Sequence, residues 1–213
     1  MSAARKEILD RVRSALRDVQ GNRADEYTAI PRAYVQSTSD GLDQRLGLLT
    51  DRLHAYDATV YCCAPADIQR TIGEALLARE KTRILVPVGL PGEWLPPNFD
   101  FIPDRGLTYE EINAVDGVVT GSALAIAFTG TIVLRHSAQE GRRALTLIPD
   151  YHLCVVQGRD VVQTVPEAIR KMALFGASPL TTIAGPSATA DIEMTRIKGV
   201  HGPRILDVIL IVD

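Results

Sequence analysis

The sequence predicts an α/β fold with a parallel layer, a β-rich section after it and a helical arm at the N-terminus. Three observations predict it. Ala58–Cys62, a helical stripe after Pro65-Ala66-Asp67, and Arg83–Val88 give strand, helix, strand with short connections, and parallel strands need such a crossover. Residues 117–157 then break into short apolar runs split by Gly, Thr and Pro. The last run, Leu206–Val212, is apolar on both parities, as in a strand buried on both faces.

Taken in order, Ile8, Val12, Ala15, Leu16 and Val19 recur at helical spacing, with charged residues between them and Gly21-Asn22 as a stop. One narrow apolar stripe at the end of a chain implies an arm that docks on the body or on another subunit. Residues 20–38 have no periodicity and read as a linker. This divides the chain into an arm over 1–38 and an α/β domain over 39–213. Ser39 or Asp40 can cap a helix whose stripe is Leu42, Leu46, Leu49 and Leu53. The helix after Asp67 carries Ile68, Ile72, Ala75 and Leu76. Residues 89–107, rich in Gly and Pro, read as loop, and their Trp94 is either a cover on the core edge or a ligand wall. Gly117–Thr120, Ala123–Ala127, Thr131–Leu134, Ala144–Ile148 and His152–Gln157 are the strands of the β-rich section. Thr164-Val-Pro-Glu167 is a capping-box signature opening a helix with Ile169, Met172, Ala173 and Phe175. Leu180–Ala184 is a further strand, and Ser187 a helix start.

Composition narrows the function. The 213 residues are 46% apolar and 23% charged, near globular averages, which excludes wholesale disorder and a long coiled coil. No apolar run approaches the ~20 residues of a membrane span, and the N-terminus lacks a signal-peptide core. Three cysteines, two of them adjacent (Cys62, Cys63), make neither a disulfide framework nor a CxxC pair. A cytoplasmic, reducing location is expected. The net charge of −3 divides unevenly: residues 41–134 carry −5 and residues 135–204 carry +3. That excess is no nucleic-acid stripe, but it favours a small anion.

Several segments have residue types suited to chemistry. Thr120-Gly121 and Thr129-Gly130-Thr131 flank a run of small residues, where a ligand can approach the backbone or a tight hairpin can pack. No GxGxxG opens a helix and no P-loop is present. Gly185-Pro-Ser187-Ala-Thr189-Ala-Asp191-Ile-Glu193 follows a strand; a helix beginning at Ser187 would offer free N–H groups to an anion, or Ser187 is a plain cap. His201, in Gly199-Val-His-Gly-Pro-Arg204, sits on a loop before the last strand, as a proton-transfer group or a structural histidine. His152 and Cys154 share a strand face without further ligands, so no metal site is expected. His136 and Glu140-Gly-Arg-Arg143 either supply cations to an anion or form a solvated turn.

Thr129–Leu134, Gly185–Glu193 and Gly199–Arg204, in this order before a terminal apolar strand, resemble the LUD-domain family of lactate-utilisation proteins (the LutC/YkgG type). The likeness runs from about residue 40 to the end, and the amphipathic arm is similar too. Many relatives have an acidic residue before the Thr-Gly-Thr step, where this sequence has Phe128. The resemblance implies an open sheet similar to the NagB/RpiA/CoA-transferase group. It also implies a part in oxidising L-lactate to pyruvate beside iron–sulfur oxidoreductase subunits, which would hold the clusters, with no cofactor on this chain.

Together these observations predict a pocket for a small anionic metabolite formed by Gly121, Thr129, Gly130, Thr131, Gly185, Ser187 and Thr189. His201, Asp191 or Glu193 would transfer or orient a proton there. Two alternatives stay open. One is an acyl-CoA or sugar-phosphate transferase or isomerase, with Glu193 or Glu140 as nucleophile. The other is a non-catalytic assembly module whose N-terminal helix recruits iron–sulfur partners or a second copy of the chain.

Overall fold

The computed structural model describes residues 3–16, 23–189, 197–198 and 202–212, and divides the chain into two units, residues 1–34 and 35–213. The first unit holds helices α1 (Ala3–Ala15) and α2 (Arg23–Ala29). In α1 the charged face is laced by Arg11–Glu7 and Arg13–Asp10 pairs one turn apart, at 2.7 and 3.0 Å. Helix α2 lies inside the stretch expected to be a linker. The guanidinium of Arg32 sits on the Tyr27 ring and donates to the Tyr27 and Ile30 carbonyls, which the end of a helix leaves unpaired. A helix this short has no apolar period to reveal it.

The second unit begins with helix α3 (Leu42–Ala55), which buries Leu46, Leu49 and Leu53 as their spacing predicts. Its N-cap is Gly41, not Ser39 or Asp40; the Asp40 carboxylate accepts instead from Gln163 Nε2 at 2.8 Å. Strand β1 (Thr59–Cys63), a 3₁₀ turn at Pro65–Asp67, helix α4 (Ile68–Ala78) and strand β2 (Arg83–Val86) follow in the expected order. Residues 89–107 are not all loop. They hold a 3₁₀ turn at Gly92–Trp94 and the edge strand β3 (Asp100–Pro103), whose partner on one side only relaxes the need for an apolar sequence. Trp94 packs against the core cluster under α4 and so covers the core edge. After helix α5 (Tyr109–Asn113) come β4 (Gly117–Thr120), β5 (Leu124–Ile126) and β6 (Thr131–Leu134). Ala144–Ile148 is not a strand: Arg143–Thr146 forms a 3₁₀ turn that buries Leu145 and Thr146. The chain continues with β7 (Tyr151–Gln157), β8 (Val161–Val162), helix α6 (Val165–Met172), β9 (Thr181–Ile183), β10 (Ala188–Thr189), β11 (Ile197–Lys198) and β12 (Ile205–Ile211). Thr164 and Glu167 form the predicted capping box on α6.

Two sheets carry the fold. Six parallel strands run in the order β1-β12-β7-β4-β2-β3, and four more in the order β8-β5-β6-β9. The alternating side chains of β7 show how they are layered. Tyr151, Leu153 and Val155 pack with Ile72 and Leu76 of α4 on one face. Cys154 and Val156 face Leu49 and Leu53 of α3, together with Ala125, Ile132 and Leu134 of the smaller sheet. The far face of the smaller sheet packs on Ala168 of α6. Burial on both faces explains the unbroken apolar runs of β7 and β12. Arg79, which closes α4, ties that layer to the sheet through a two-pronged pair with the fully buried Asp207 of β12 at 2.7 and 3.0 Å. The Tyr151 hydroxyl also donates to Asp207, at 3.1 Å.

Ser187 does not start a helix. Ala188–Thr189 pairs antiparallel with Ile197–Lys198, and the Ser187 amide donates to the Pro203 carbonyl at 2.8 Å. A serine four residues before Asp191 has the composition of a helix start, yet cross-strand pairing takes the backbone hydrogen bonds here. Among the described residues no helix is long and apolar enough to cross a membrane.

Candidate functional site

A cavity of about 490 Å³ lies where four segments converge. Residues 182–188 line one part, and Gly202, Pro203 and Leu206 at the start of β12 another. Arg143 and Thr146 come from the 3₁₀ turn, and His152 is the second residue of β7. The cavity therefore sits at the amino ends of β7 and β12. Open parallel α/β sheets usually bind at the carboxyl ends, so the smaller sheet and the β9–β10 segment have built a site on the other edge. Its volume is in the ordinary range for small-molecule pockets.

Each polar group on the wall is positioned by local chemistry. The Arg143 guanidinium donates to the Thr146 carbonyl and hydroxyl, both at 3.1 Å, which folds the side chain back over its own turn. Among the described residues no carboxylate pairs with Arg143. Burial lowers its pKa, but an arginine stays protonated at any physiological pH. Among the described residues, the cavity thus holds a cation without a carboxylate counter-charge. His152 is only 1% exposed, and its Nε2 lies 2.8 Å from Thr120 Oγ1 on the neighbouring strand β4. Burial, with the Arg143 charge adding to it, pushes the His152 pKa down to about 3, so the ring is neutral at pH 7. Behind it Cys154 is fully buried and its thiol is pushed up to about 12, which leaves it protonated and unreactive.

A protein family and individual relatives share this architecture. The LUD domain family matches residues 102–211, which takes in every cavity wall. A protein from Deinococcus radiodurans called lactate utilization protein C is 40% identical over 198 residues, covering 92% of this chain and 91% of its own. The chain belongs to the LUD-domain family. Another lactate utilization protein C, from Shouchella clausii, is 33% identical over 105 residues, 47% of this chain and 45% of that protein. The crystal structure of a DUF162 family protein from Deinococcus radiodurans aligns with TM-score 0.72 at 38% identity, covering 81% of this chain and 99% of that one. The mixed α/β fold with its mostly parallel central sheet is thus the fold of the LUD family.

Within this LUD fold the predicted site residues separate. Gly185 and Ser187 line the cavity, beside Gly202 and Pro203 of the loop that carries His201. Gly185 has φ +79°, and a Cβ there would meet Tyr56 Cβ at 2.5 Å, so the turn into the cavity wall requires glycine. Thr129, Gly130 and Thr131 are not among the lining residues. They form the β5–β6 hairpin turn, where the two hydroxyls bond each other at 2.8 Å and Gly130, at φ +63°, packs on Arg52. Gly121 is not on the wall either; its amide donates to the Gln139 carbonyl at 3.0 Å. Thr189 is in β10, and Asp191, Glu193 and His201 lie outside the described residues. Glu140, the other nucleophile candidate, is 4% exposed, accepts from the Ser137 amide and hydroxyl, and does not line the cavity.

Among the described residues, Arg143 and His152 are the ionisable side chains on the cavity wall; the sequence offers Arg143 as a cation for an anion or part of a solvated turn, and does not offer His152 as a binding residue. His152 has a usable signal: a polar side chain at an inward parity of an otherwise apolar strand is the informative exception in a core. Among the described residues no group of three or more His, Cys, Asp and Glu side chains is placed to hold a metal.

Proposed function

We propose that this LUD-domain protein acts in lactate utilisation and binds a small carboxylate, or a similar anion, in the cavity at the amino ends of β7 and β12. The single observation that carries this reading is Arg143: a cation on a cavity wall, with no carboxylate partner among the described residues. An unpaired charge in a partly buried position is costly unless a ligand supplies the opposite sign. The Thr146 hydroxyl and the backbone around Gly185–Ser187 give further polar atoms on the wall, and Ile183 and Leu206 an apolar side for a carbon chain. The relatives' names connect the family to lactate.

Titration calorimetry with L-lactate, pyruvate, an acyl-CoA and a sugar phosphate tests the proposal. A carboxylate should bind, and Arg143→Ala should weaken it by about 10-fold or more, the loss of a charge-assisted hydrogen bond. Silence from all four ligands contradicts it. Lactate oxidation also needs an electron acceptor. Cys62 and Cys63 are on the edge strand β1 and Cys154 is in the core, so iron–sulfur centres in this proposal belong to partner subunits. The basic helix α1 exposes Ile8 and Val12, and Leu16 just past its end continues a stripe suited to recruiting them or a second copy. Removing the arm, residues 1–38, should abolish co-purification with the partners and leave carboxylate binding intact. An unchanged complex rules out the arm's role.

A further inference from the structure

We infer that His152 presents a hydrogen-bond acceptor to the cavity, so that the site selects 2-hydroxy acids over the corresponding 2-keto acids. The inference rests on the proposed carboxylate site and assigns its specificity to a residue pair, Thr120 and His152.

Proton bookkeeping along one short chain of atoms leads there. The Gly121 carbonyl oxygen can only accept, and Thr120 Oγ1 lies 2.9 Å from it. Two oxygens that close need a proton between them, and the Thr120 hydroxyl has one to give. Once committed to Gly121, that hydroxyl meets His152 Nε2, 2.8 Å away, with a lone pair. Nε2 must then carry a proton, because two facing lone pairs would repel. The Cys154 sulfur lies 3.6 Å from the Gly121 oxygen and 3.8 Å from Thr120 Oγ1; whether the Thr120 proton goes to the carbonyl or to this weak acceptor, a lone pair of Oγ1 is left facing Nε2. A neutral imidazole has a single N–H. Burial and the nearby Arg143 keep the ring neutral. Nδ1 is therefore a lone-pair acceptor, and among the described residues it forms no hydrogen bond, on a side chain that is 1% exposed and lines the cavity.

A ligand whose carboxylate pairs with Arg143 completes this acceptor only if it brings a donor. The hydroxyl of a 2-hydroxy acid does so. A keto oxygen sets lone pair against lone pair and leaves Nδ1 unsatisfied, which a buried site discriminates against strongly. The ammonium of a 2-amino acid also donates, but it would bring a positive charge towards Arg143. The cavity volume of about 490 Å³ exceeds a three-carbon acid, so the acid's chain can extend along Ile183 and Leu206.

Calorimetric titration with two matched pairs tests this: L-lactate with pyruvate, and 2-hydroxyhexanoate with 2-oxohexanoate. Each hydroxy acid should bind at least about 10-fold more tightly than its keto partner. Thr120 is a positioning residue that does not line the cavity, so Thr120→Val should bring the ratio towards one without removing carboxylate binding. Nitrogen-15 shifts of the His152 ring in the unaltered protein read the tautomer directly and do not depend on the variant folding. They should show Nε2 protonated and Nδ1 bare. Equal or tighter binding of the keto acids, a ratio unchanged in Thr120→Val, or a protonated Nδ1 overturns the inference while the carboxylate site stands. If none of the four acids binds, the carboxylate site itself is wrong, and the specificity falls with it.

Discussion

At the residue scale, His152 shows how burial converts a common side chain into a defined one. Its ring has an ordinary pKa of 6.5 and is pushed down to about 3 in the folded protein. The unfolded chain thus takes up a proton near pH 6.5 that the native chain refuses until about pH 3. Between those values the unfolded state binds more protons, so native stability falls as pH falls, by about 1.4 kcal/mol per pH unit from this group. Chemical denaturation from pH 6.5 to 4 should show that slope lessened by one proton's worth in His152→Gln relative to the unaltered chain. Parallel pH profiles for the two would show that His152 titrates normally. His152 is not legible as a binding site in the sequence, and Arg143 only as one of two open readings of its segment. His152 is read beside Cys154 as a metal pair that lacks further ligands, and Arg143 as part of a segment that either supplies cations to an anion or forms a solvated turn. What distinguishes them is burial, together with the absence, among the described residues, of a carboxylate paired with Arg143. Both depend on strands and turns that are distant in sequence.

At the element scale, sequence period and structure agree where a long amphipathic segment packs on a sheet. The leucine stripe of α3 and the Ile68–Leu76 stripe of α4 are buried as their spacing predicts. Agreement fails where an element is short. Helix α2, strand β3 and the 3₁₀ turn at Arg143–Thr146 span only a few residues each, too few for a period to show. At Ser187 the local composition favours a helix cap, and cross-strand pairing of β10 with β11 prevails. The join between α4 and the sheet has its own prediction. Asp207 is fully buried, and Arg79 supplies its counter-charge from the end of the helix. Arg79→Ala leaves an uncompensated carboxylate inside the protein and should cost about 3–5 kcal/mol in a denaturant melt. A loss below about 1 kcal/mol would mean that the Tyr151 hydroxyl alone can satisfy the carboxylate.

At the scale of the whole molecule, the sequence predicts the parallel layer and the final buried strand correctly. It leaves open how the short strands between residues 117 and 157 are shared between sheets. Strands β4 and β7 join the parallel sheet, whereas β5 and β6 turn away into the smaller one. That division puts the β9–β10 segment beside the amino ends of β7 and β12 and creates the cavity there. It also explains the separation of the predicted site. The Gly185–Ser187 segment falls on the cavity wall, and the Thr129–Thr131 turn, which belongs to the β5–β6 hairpin, does not. The basic character of residues 135–204 gains a location as well, since among the described residues Arg143 is the part of it on the cavity wall. The central claim is that this wall receives a carboxylate. A crystal of the full chain soaked with L-lactate tests it most directly: carboxylate density should lie within hydrogen-bond reach of Arg143, with the ligand hydroxyl towards His152. Ordered lactate elsewhere on the molecule, with the cavity occupied only by water, would contradict the account.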